Sequence, residues 1–295
     1  MKKKVMKEST AWQIGAHTVM IIGSLLAILP FILLVIASFT DNQTALVNGY
    51  SFTPEKWSLE AYQYIASEWA TIGRAYLMTI LVTVIGTALS LVITSTFAFV
   101  VSNDKLPGHK ILMFLCIFTM LFNGGLVASY YVYSNIFHIK NTIWALIVPT
   151  FLMSPFNVVL VKNYFSNSIS PSILEAARMD GAGVFAVFTK IVMPLSVPIM
   201  ATVGLMTAIG YWNDWTNGLY YLTENGGSQY YTIQLVLNIN FLANNSDVAA
   251  KAAQQLPSTT MRMAIAVIGI LPIMCAYPFF QKYFVKGITL GGVKE

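Results

Sequence analysis

Charge is what this chain has least of. Only 10% of its 295 residues are Asp, Glu, Lys or Arg, against about 25% in a soluble domain. Histidine occurs three times and cysteine twice. There is no C-x-x-C, no H-E-x-x-H, and no His cluster or carboxylate pair within the apolar runs. Neither a metal site nor a disulfide framework is indicated, and a membrane enzyme would lack its machinery. No G-x-x-x-x-G-K-S/T phosphate loop occurs, so the chain does not read as an ATPase. A basic stripe interleaved with aromatics, the footprint of nucleic-acid binding, is missing too. So are low-complexity stretches and repeats of about 20 to 50 residues.

Apolar residues fill the space. They make up 56% of the chain, and the mean hydropathy is +0.66. Runs without any charge cover 9–40, 75–103, 111–139, 141–161, 191–213 and 263–281. Each can supply the ~20 apolar residues that cross a bilayer as a helix. They are too long for barrel strands and do not alternate strictly, so a helical bundle is predicted. Six spans are placed near 17–39, 75–101, 112–133, 142–161, 191–221 and 263–281, the fifth enclosing Asp214.

Six spans put both termini on one side, and basic residues choose the side. With cytoplasmic termini, the inside holds Lys2, Lys3, Lys4, Lys7, Lys105, Lys110, Lys162, Arg178, Lys190, Lys282, Lys286 and Lys294, 12 of the 17 basic residues. Lys56, Arg74, Lys140, Lys251 and Arg262 stay outside. The net charge of +5 is therefore topological. The basic start resembles a signal peptide, but His17–Phe39 is longer than a typical signal core and more spans follow, so an uncleaved first span is expected. Cys116 and Cys275 fall within spans and are expected to be buried, inert thiols. The predicted fold class is an all-α integral membrane protein with six transmembrane helices and cytoplasmic termini, one domain over 1–295. Its cell-membrane location is multi-pass.

The outer connection 41–74 carries the turn signal Asn48-Gly49, then Thr53-Pro54. Residues 57–72, with Trp57, Leu59, Tyr62, Tyr64, Ile65 and Trp69, read as a short amphipathic helix. It serves either as an interfacial anchor or as part of a docking surface for an external protein. Pro107-Gly108 marks a turn inside. The short connection 138–141 makes spans three and four a tight hairpin, with His138 at the surface. The long outer connection 224–261 holds Gly226-Gly227 and a mixed segment at 230–242, a surface helix or a shallow re-entrant piece. The inner connection 162–190 is the longest cytoplasmic one. Its helix has two possible starts: Ser170 as cap with Pro171 at the first helical position, or Ser172-x-x-Glu175 as a capping box. Gly181 and Gly183 end that helix, and another begins before Ile191.

That inner connection holds Glu175-Ala176-Ala177, Gly181, Ile191 and Met193-Pro194, spaced E-A-A-x3-G-x9-I-x-M-P. Small residues let a partner surface approach closely. Gly181 permits a turn that a residue with a β-carbon resists. Pro194 is tolerated in the first turn of the next span. The bland alternative is an ordinary helix-turn-helix with Glu175 favouring a helix N-terminus.

The spacing resembles the cytoplasmic EAA coupling loop of binding-protein-dependent ABC importer permeases, departing only at Met193, where that pattern has Leu. The likeness covers most of the chain. It is closest to the smaller permease of carbohydrate-type importers, the maltose, multiple-sugar and complex-oligosaccharide group. Phe122-Asn123-Gly124-Gly125 with Tyr130, Trp212-Asn213-Asp214-Trp215, and the tail from Phe284 to Lys294 carry it. Ala128 departs from the Pro that this group commonly has after the glycine pair. The resemblance implies a type I ABC importer permease fold, with a coupling loop at 162–190 and a cytoplasmic tail at 282–295. It implies ATPase coupling through Glu175, Ala176, Ala177, Arg178, Asp180, Gly181, Ile191 and Pro194. It also implies a second homologous permease, two ATPase subunits and an extracytoplasmic solute-binding protein as partners. No cofactor would be bound directly, since the partner ATPases use the ATP and Mg. The tail would either contact the ATPases or be a free end.

Asp214 is the one acidic residue inside a predicted span, and such a group faces a cavity or a partner rather than lipid. Aromatic faces with amide and carboxylate acceptors suit a sugar. Asn123, Tyr130, Tyr131, Asn157, Tyr211, Trp212, Asn213, Asp214 and Trp215 are the candidate pathway residues. A helix-end aspartate in an interfacial belt is the alternative. The function expected is half of a sugar or oligosaccharide import pathway, without an ATPase site of its own. An ion-coupled secondary transporter is the competing reading, weakened by the lack of an inverted repeat and of carboxylates for a proton relay. The scarcity of charge in the spans hints at uncharged cargo.

Overall fold

The computed structural model describes residues 10–104, 106–244 and 259–292. The lysines at 2–7, Lys105, Lys251 and the last three residues of the tail lie outside the described residues. Helices are the regular structure among the described residues, and a lone bridge between Thr40 and Trp57 is the nearest approach to a strand. The chain divides into two compact parts, Met1–Trp69 with Ala250–Gly269, and Ala70–Ala249 with Ile270–Glu295.

In the first part, the apolar run forms α1 (Thr10–Ser38). Every side chain from Trp12 to Ile32 is exposed, as expected of a helix meant for lipid or a partner. The chain then folds back on itself. Ser58 N–H donates to Phe39 O at 2.8 Å, and Asp41 N–H donates to Lys56 O at 3.0 Å. Asp41 caps α2 (Asn42–Asn48), accepting from Thr44 N–H and from the Thr44 hydroxyl. Lys56 Nζ lies 3.1 Å from the other carboxylate oxygen. The Lys56 ammonium and the capping bond hold the Asp41 carboxyl below the usual carboxylate range. The expected amphipathic helix is present but shorter than 57–72. It forms α3 (Glu60–Ser67), with Ala61 and Ile65 one turn apart and buried. Tyr62 stacks on Phe39 at 4.8 Å, and its hydroxyl meets Ser38 Oγ at 2.8 Å. Glu68 ends this helix, and Trp57 and Trp69 are exposed.

In the second part, α4 (Trp69–Val101) is an unbroken apolar helix that starts six residues before the predicted span. The predicted span at 112–133 is instead a bent pair, α5 (His109–Leu121) and α6 (Gly125–Tyr131), the latter running on as a π turn to Ile136, with a bend of 118°. Phe122 is extended, and Gly125 sits at φ +81°, where glycine alone is comfortable. Asn123 Oδ1 takes the Gly125 N–H at 2.8 Å. The predicted span at 142–161 is also interrupted. α7 (Trp144–Ile147) stops, residues 148–154 are non-helical, and α8 (Pro155–Ser168) restarts with proline in its first turn. Pro149 supplies no N–H, and Ser154 is extended because the following proline disfavours the helical region.

Next come α9 (Pro171–Met179), α10 (Val184–Val187), a π turn over Phe188–Val192, α11 (Met193–Leu195) and α12 (Val197–Asn213). The last two meet at a bend of 79°. Pro194 offers no N–H to Lys190 O, which accounts for the wider π register just before it. α12 stops at Asn213, so Asp214 lies just beyond the helix, extended at ψ 118°. α13 (Thr216–Tyr221), α14 (Glu224–Gly227), a 3-10 turn at Ser228–Tyr230 and α15 (Ile233–Asn244) follow. The mixed segment at 230–242 is thus largely helix, with Ile233 and Leu235 fully buried. α16 (Thr259–Gly292) closes the described chain. Cys116 is buried as expected, but Cys275 is exposed on α16.

Two buried apolar clusters organise the second part. One joins α4 near Ala98, α8 near Val158 and Val161, Ala177 of α9, and α12 near Val203. The other joins Val82, Leu146, Ile147, Tyr211, Leu222 and Leu235. Side-chain hydroxyl and amide groups of these helices carry the polar contacts between them.

Candidate functional site

The inner connection is built from local rules. Ser170 is the N-cap residue and Pro171 opens α9, so the first of the two predicted starts is the one adopted. Ser170 Oγ pairs with Ser172 Oγ at 2.7 Å rather than with the helix backbone. Glu175 is accordingly free of a capping box and is exposed. Leu174 and Ala177, three residues apart, turn to the buried cluster. Ala176, Arg178 and Asp180 are exposed. Gly181 adopts φ +79°. Its N–H donates to Arg178 O at 3.1 Å, and Ala182 N–H donates to Ala177 O at 2.9 Å. These two bonds are the Schellman closure of a helix C-terminus, which needs the left-handed residue.

Around this closure Met179, Val184 and Phe185 are 89%, 74% and 78% exposed. Three large apolar side chains stand at one turn of a loop outside the predicted spans, on a base fixed by Ala177 and Val187 in the core. Beneath α9 lies a cavity of about 280 Å³, with Phe99, Asn103, Asp104, Phe165, Glu175 and Arg178 among its lining residues. Ile191 is half-buried against the cluster, and Pro194 is exposed just before the 79° bend.

The candidate pathway residues divide by burial. Tyr211 is 1% exposed, and its hydroxyl donates to Ile147 O at 2.8 Å. Trp212 is buried and packs edge-on to Tyr76 at 5.8 Å. Asn157 is buried and donates to Thr207 Oγ1 at 3.2 Å. Asp214 is 9% exposed. Its Oδ1 accepts from Thr216 N–H and Asn217 N–H, at 3.1 and 3.2 Å, and its Oδ2 accepts from Asn217 Nδ2 at 2.7 Å. Asp214, one residue before the N-cap Trp215, therefore takes the first two amides of α13, with its charge spread over three donors. Trp215 is half-buried against the second cluster. Asn123, Tyr131 and Asn213 are exposed. Tyr130 lies apart from Asp214's bonds. It stacks on Tyr221 at 5.7 Å and accepts from Lys140 Nζ at 2.8 Å.

Several residues in these arrangements carry no motif. Asn217, Ser90 and Thr150 bond across the break at 148–154, and Gly86 faces the Tyr211 ring. Only long-range contacts reveal them. Val184-Phe185 had a signal, two large apolar residues in a polar connection.

Comparison with known proteins gives consistent findings. Residues 13–290 match the model of the family described as binding-protein-dependent transport system inner membrane component. The chain is 37% identical over 275 residues to the polygalacturonan/rhamnogalacturonan transport system permease protein YtcP of Bacillus subtilis (strain 168), covering 92% of this chain and 94% of that one. It is 35% identical to protein LplC of the same organism, over 91% of this chain and 90% of LplC. A solved structure of a bacterial ABC transporter involved in import of the acidic polysaccharide alginate contains a chain with a TM-score of 0.80 and 27% identity, covering 94% of this chain and 99% of that one.

Proposed function

This chain belongs to the family of binding-protein-dependent transport system inner membrane components, and from that premise we propose that it is a permease subunit of an ATP-driven sugar or oligosaccharide importer. It forms half of the translocation pathway, pairs with a second homologous permease, and receives cargo from an extracytoplasmic solute-binding protein. Two ATPase subunits hydrolyse the ATP with Mg. The chain crosses the cell membrane six times, counting α5 with α6, α7 with α8, and the pair bent after Leu195 as one span each. Both termini are cytoplasmic on the charge bias.

The observation that carries the coupling reading is the apolar knob of Met179, Val184 and Phe185 on the Gly181 turn. Exposed apolar area of this kind needs a partner groove, and Glu175, Arg178 and Asp180, exposed on the same connection, would add polar contacts at its rim. Motion of an ATPase groove is then delivered through Ala177 into the buried cluster. In the pathway, Asn123, Tyr131 and Asn213 offer exposed polar and aromatic groups to cargo, and Tyr130, Asn157, Tyr211, Trp212, Asp214 and Trp215 shape the wall behind them. The polygalacturonan and rhamnogalacturonan named for the YtcP relative support an oligosaccharide. Lys140, with no carboxylate in ion-pair reach among the described residues, favours an acidic one over the neutral cargo that the charge-poor spans suggest.

The test is co-purification. The complex expressed with its cognate ATPase subunits should retain them, and Phe185→Asp should release them while leaving the permease in the membrane. Retention of the ATPases at the parent level by Phe185→Asp would defeat the coupling reading. Titration of the solute-binding protein with oligogalacturonate and with a neutral maltooligosaccharide separates the two cargo classes.

A further inference from the structure

The non-helical segment 148–154 interrupts a predicted membrane span. Backbone groups freed at that depth must be satisfied by protein. Three side chains from three other elements do so. Tyr211 of α12 donates to Ile147 O at 2.8 Å, Ser90 of α4 donates to Phe151 O at 3.1 Å, and Asn217 of α13 donates to Pro149 O at 3.4 Å. Within the segment, Thr150 holds φ +69°. A β-branched residue in the left-handed region is strained and stays there only because its surroundings impose it. Thr150 Oγ1 donates to Asn217 Oδ1 at 3.5 Å. Both ends of the Asn217 amide therefore act on the break. The amide is itself oriented by Asp214 Oδ2 at 2.7 Å.

The far side of the break leads to the inner loop. α8 begins at Pro155 and ends at Ser168, and α9 begins after two intervening residues. Tyr164 of α8 donates to Leu195 O, at the bend before α12. α8 is thus a continuous arm with the strained break at one end and α9 at the other.

We infer that Asn217 is a positioning residue of the transport cycle, a clip that holds the break in its strained form and joins movement of the α9 arm to the loop after α12. The inference rests on the proposed coupling role of α9. A strained segment whose form one amide releases or keeps is what a two-state hinge requires. A clip serving only to hold the fold would lower stability without changing how the break answers to nucleotide.

The experiment uses the whole complex with its cognate ATPase and solute-binding subunits in nanodiscs. Exposed Cys275 is replaced by serine and Met153, exposed within the break, by cysteine. The rate of maleimide labelling at position 153 is measured without nucleotide and after trapping with Mg-ATP and orthovanadate. In the parent, trapping should change the rate by at least about threefold, as a population shift between two states does. In Asn217→Ala the change should vanish while the ATPases remain bound. Ser90→Ala removes one hydroxyl from the same break and should reduce the change in the same direction; it carries the test if Asn217→Ala does not assemble. An unaltered response in the variants, or no response in the parent, overturns the inference. Gly181→Leu separates this from the coupling reading. A normal nucleotide response in Gly181→Leu defeats the coupling reading, whereas loss there with retention in Asn217→Ala and Ser90→Ala defeats the clip alone.

Discussion

The loop after α9 and the break before α8 are both places where a helix stops, and they are held in opposite ways. The loop closes on itself through bonds spanning three and five residues, from Gly181 to Arg178 and from Ala182 to Ala177. The break is held from Ser90, Tyr211 and Asn217, at sequence separations of 61, 64 and 68 residues. One turn is self-contained, so it can present Met179, Val184 and Phe185 outward with few ties. The other is imposed by its surroundings, with Pro149 buried, Val148, Phe151, Leu152 and Ser154 half-buried, and Thr150 and Met153 exposed. In the proposed cycle the self-contained turn is the part that docks, and the break tied to several elements is the part that transmits.

Two glycines sharpen the contrast. A β-carbon on Gly86 would lie 2.5 Å from the Tyr211 ring, whereas one on Gly181 would meet nothing within 4 Å. Gly86 is required by its neighbours and Gly181 by its backbone, at φ +79°. The largest effect is expected at Gly86. Gly86→Val must displace a ring that is fully buried and bonded to Ile147 O, and overpacking of this kind costs about 1–3 kcal/mol or more. Membrane-inserted, monodisperse protein should fall sharply and its melting temperature should drop. A Gly86→Val protein as stable as the parent would mean that the Tyr211 packing is loose and the contrast misplaced.

Gly181→Leu comes next, with the damage on function rather than on the fold. The left-handed position costs an L-residue about 1–2 kcal/mol, which the turn meets by unwinding the last bonds of α9. On the proposed coupling, the permease should remain in the membrane at near-parent level while uptake through the assembled importer is lost. Normal uptake by a well-expressed Gly181→Leu would show that the turn does not shape the contact surface.

The same contrast accounts for what the sequence makes legible. The E-A-A and Gly181 spacing is local, so the helix, its end at Gly181 and its exposed Glu175 are readable from residues alone. Apolar length is equally readable, and α1 and α4 lie where the charge-free runs put them. Interruptions are harder. Gly124-Gly125 and Pro149 are visible as letters, and the bond from Gly125 N–H to Asn123 at the 118° bend is local, yet the break at 148–154 depends on Ser90, Tyr211 and Asn217 meeting groups that a linear pattern does not juxtapose. Asp214 shows the limit best. Its charge inside an apolar run is conspicuous, but its hold on the first two amides of α13 follows only once α12 is seen to stop at Asn213. The sequence also offers no means of ranking the pathway residues, because burial separates Tyr211 and Trp212 from Tyr131 and Asn213 although all share one composition.

The smallest effect is expected in the first compact part, at Asp41, where a local cap and a long-range tie act on one carboxylate. Thr44 is three residues away and Lys56 fifteen, so the residue combines the two kinds of restraint that the loop and the break keep separate. Its carboxyl is held below the usual range chiefly by the hydrogen bond from Lys56, with the bond from Thr44 N–H next. A lowered folded-state value means that the unfolded state binds the proton more readily. The ionised cap therefore stabilises α2 above the ordinary carboxylate range, and the benefit is lost as pH falls through the lowered value. Amide exchange in Asn42–Asn48, corrected for intrinsic rates, should speed up between about pH 5 and about pH 2. Lys56→Met should move that midpoint up toward the ordinary range, and Asp41→Asn should remove the pH dependence. The Lys56 side chain is largely exposed, so added salt should weaken the long-range tie and leave the Thr44 cap. A midpoint that salt and Lys56→Met both fail to move would show that the cap alone holds the carboxylate, and that this end of the chain is as local in its construction as the Gly181 turn.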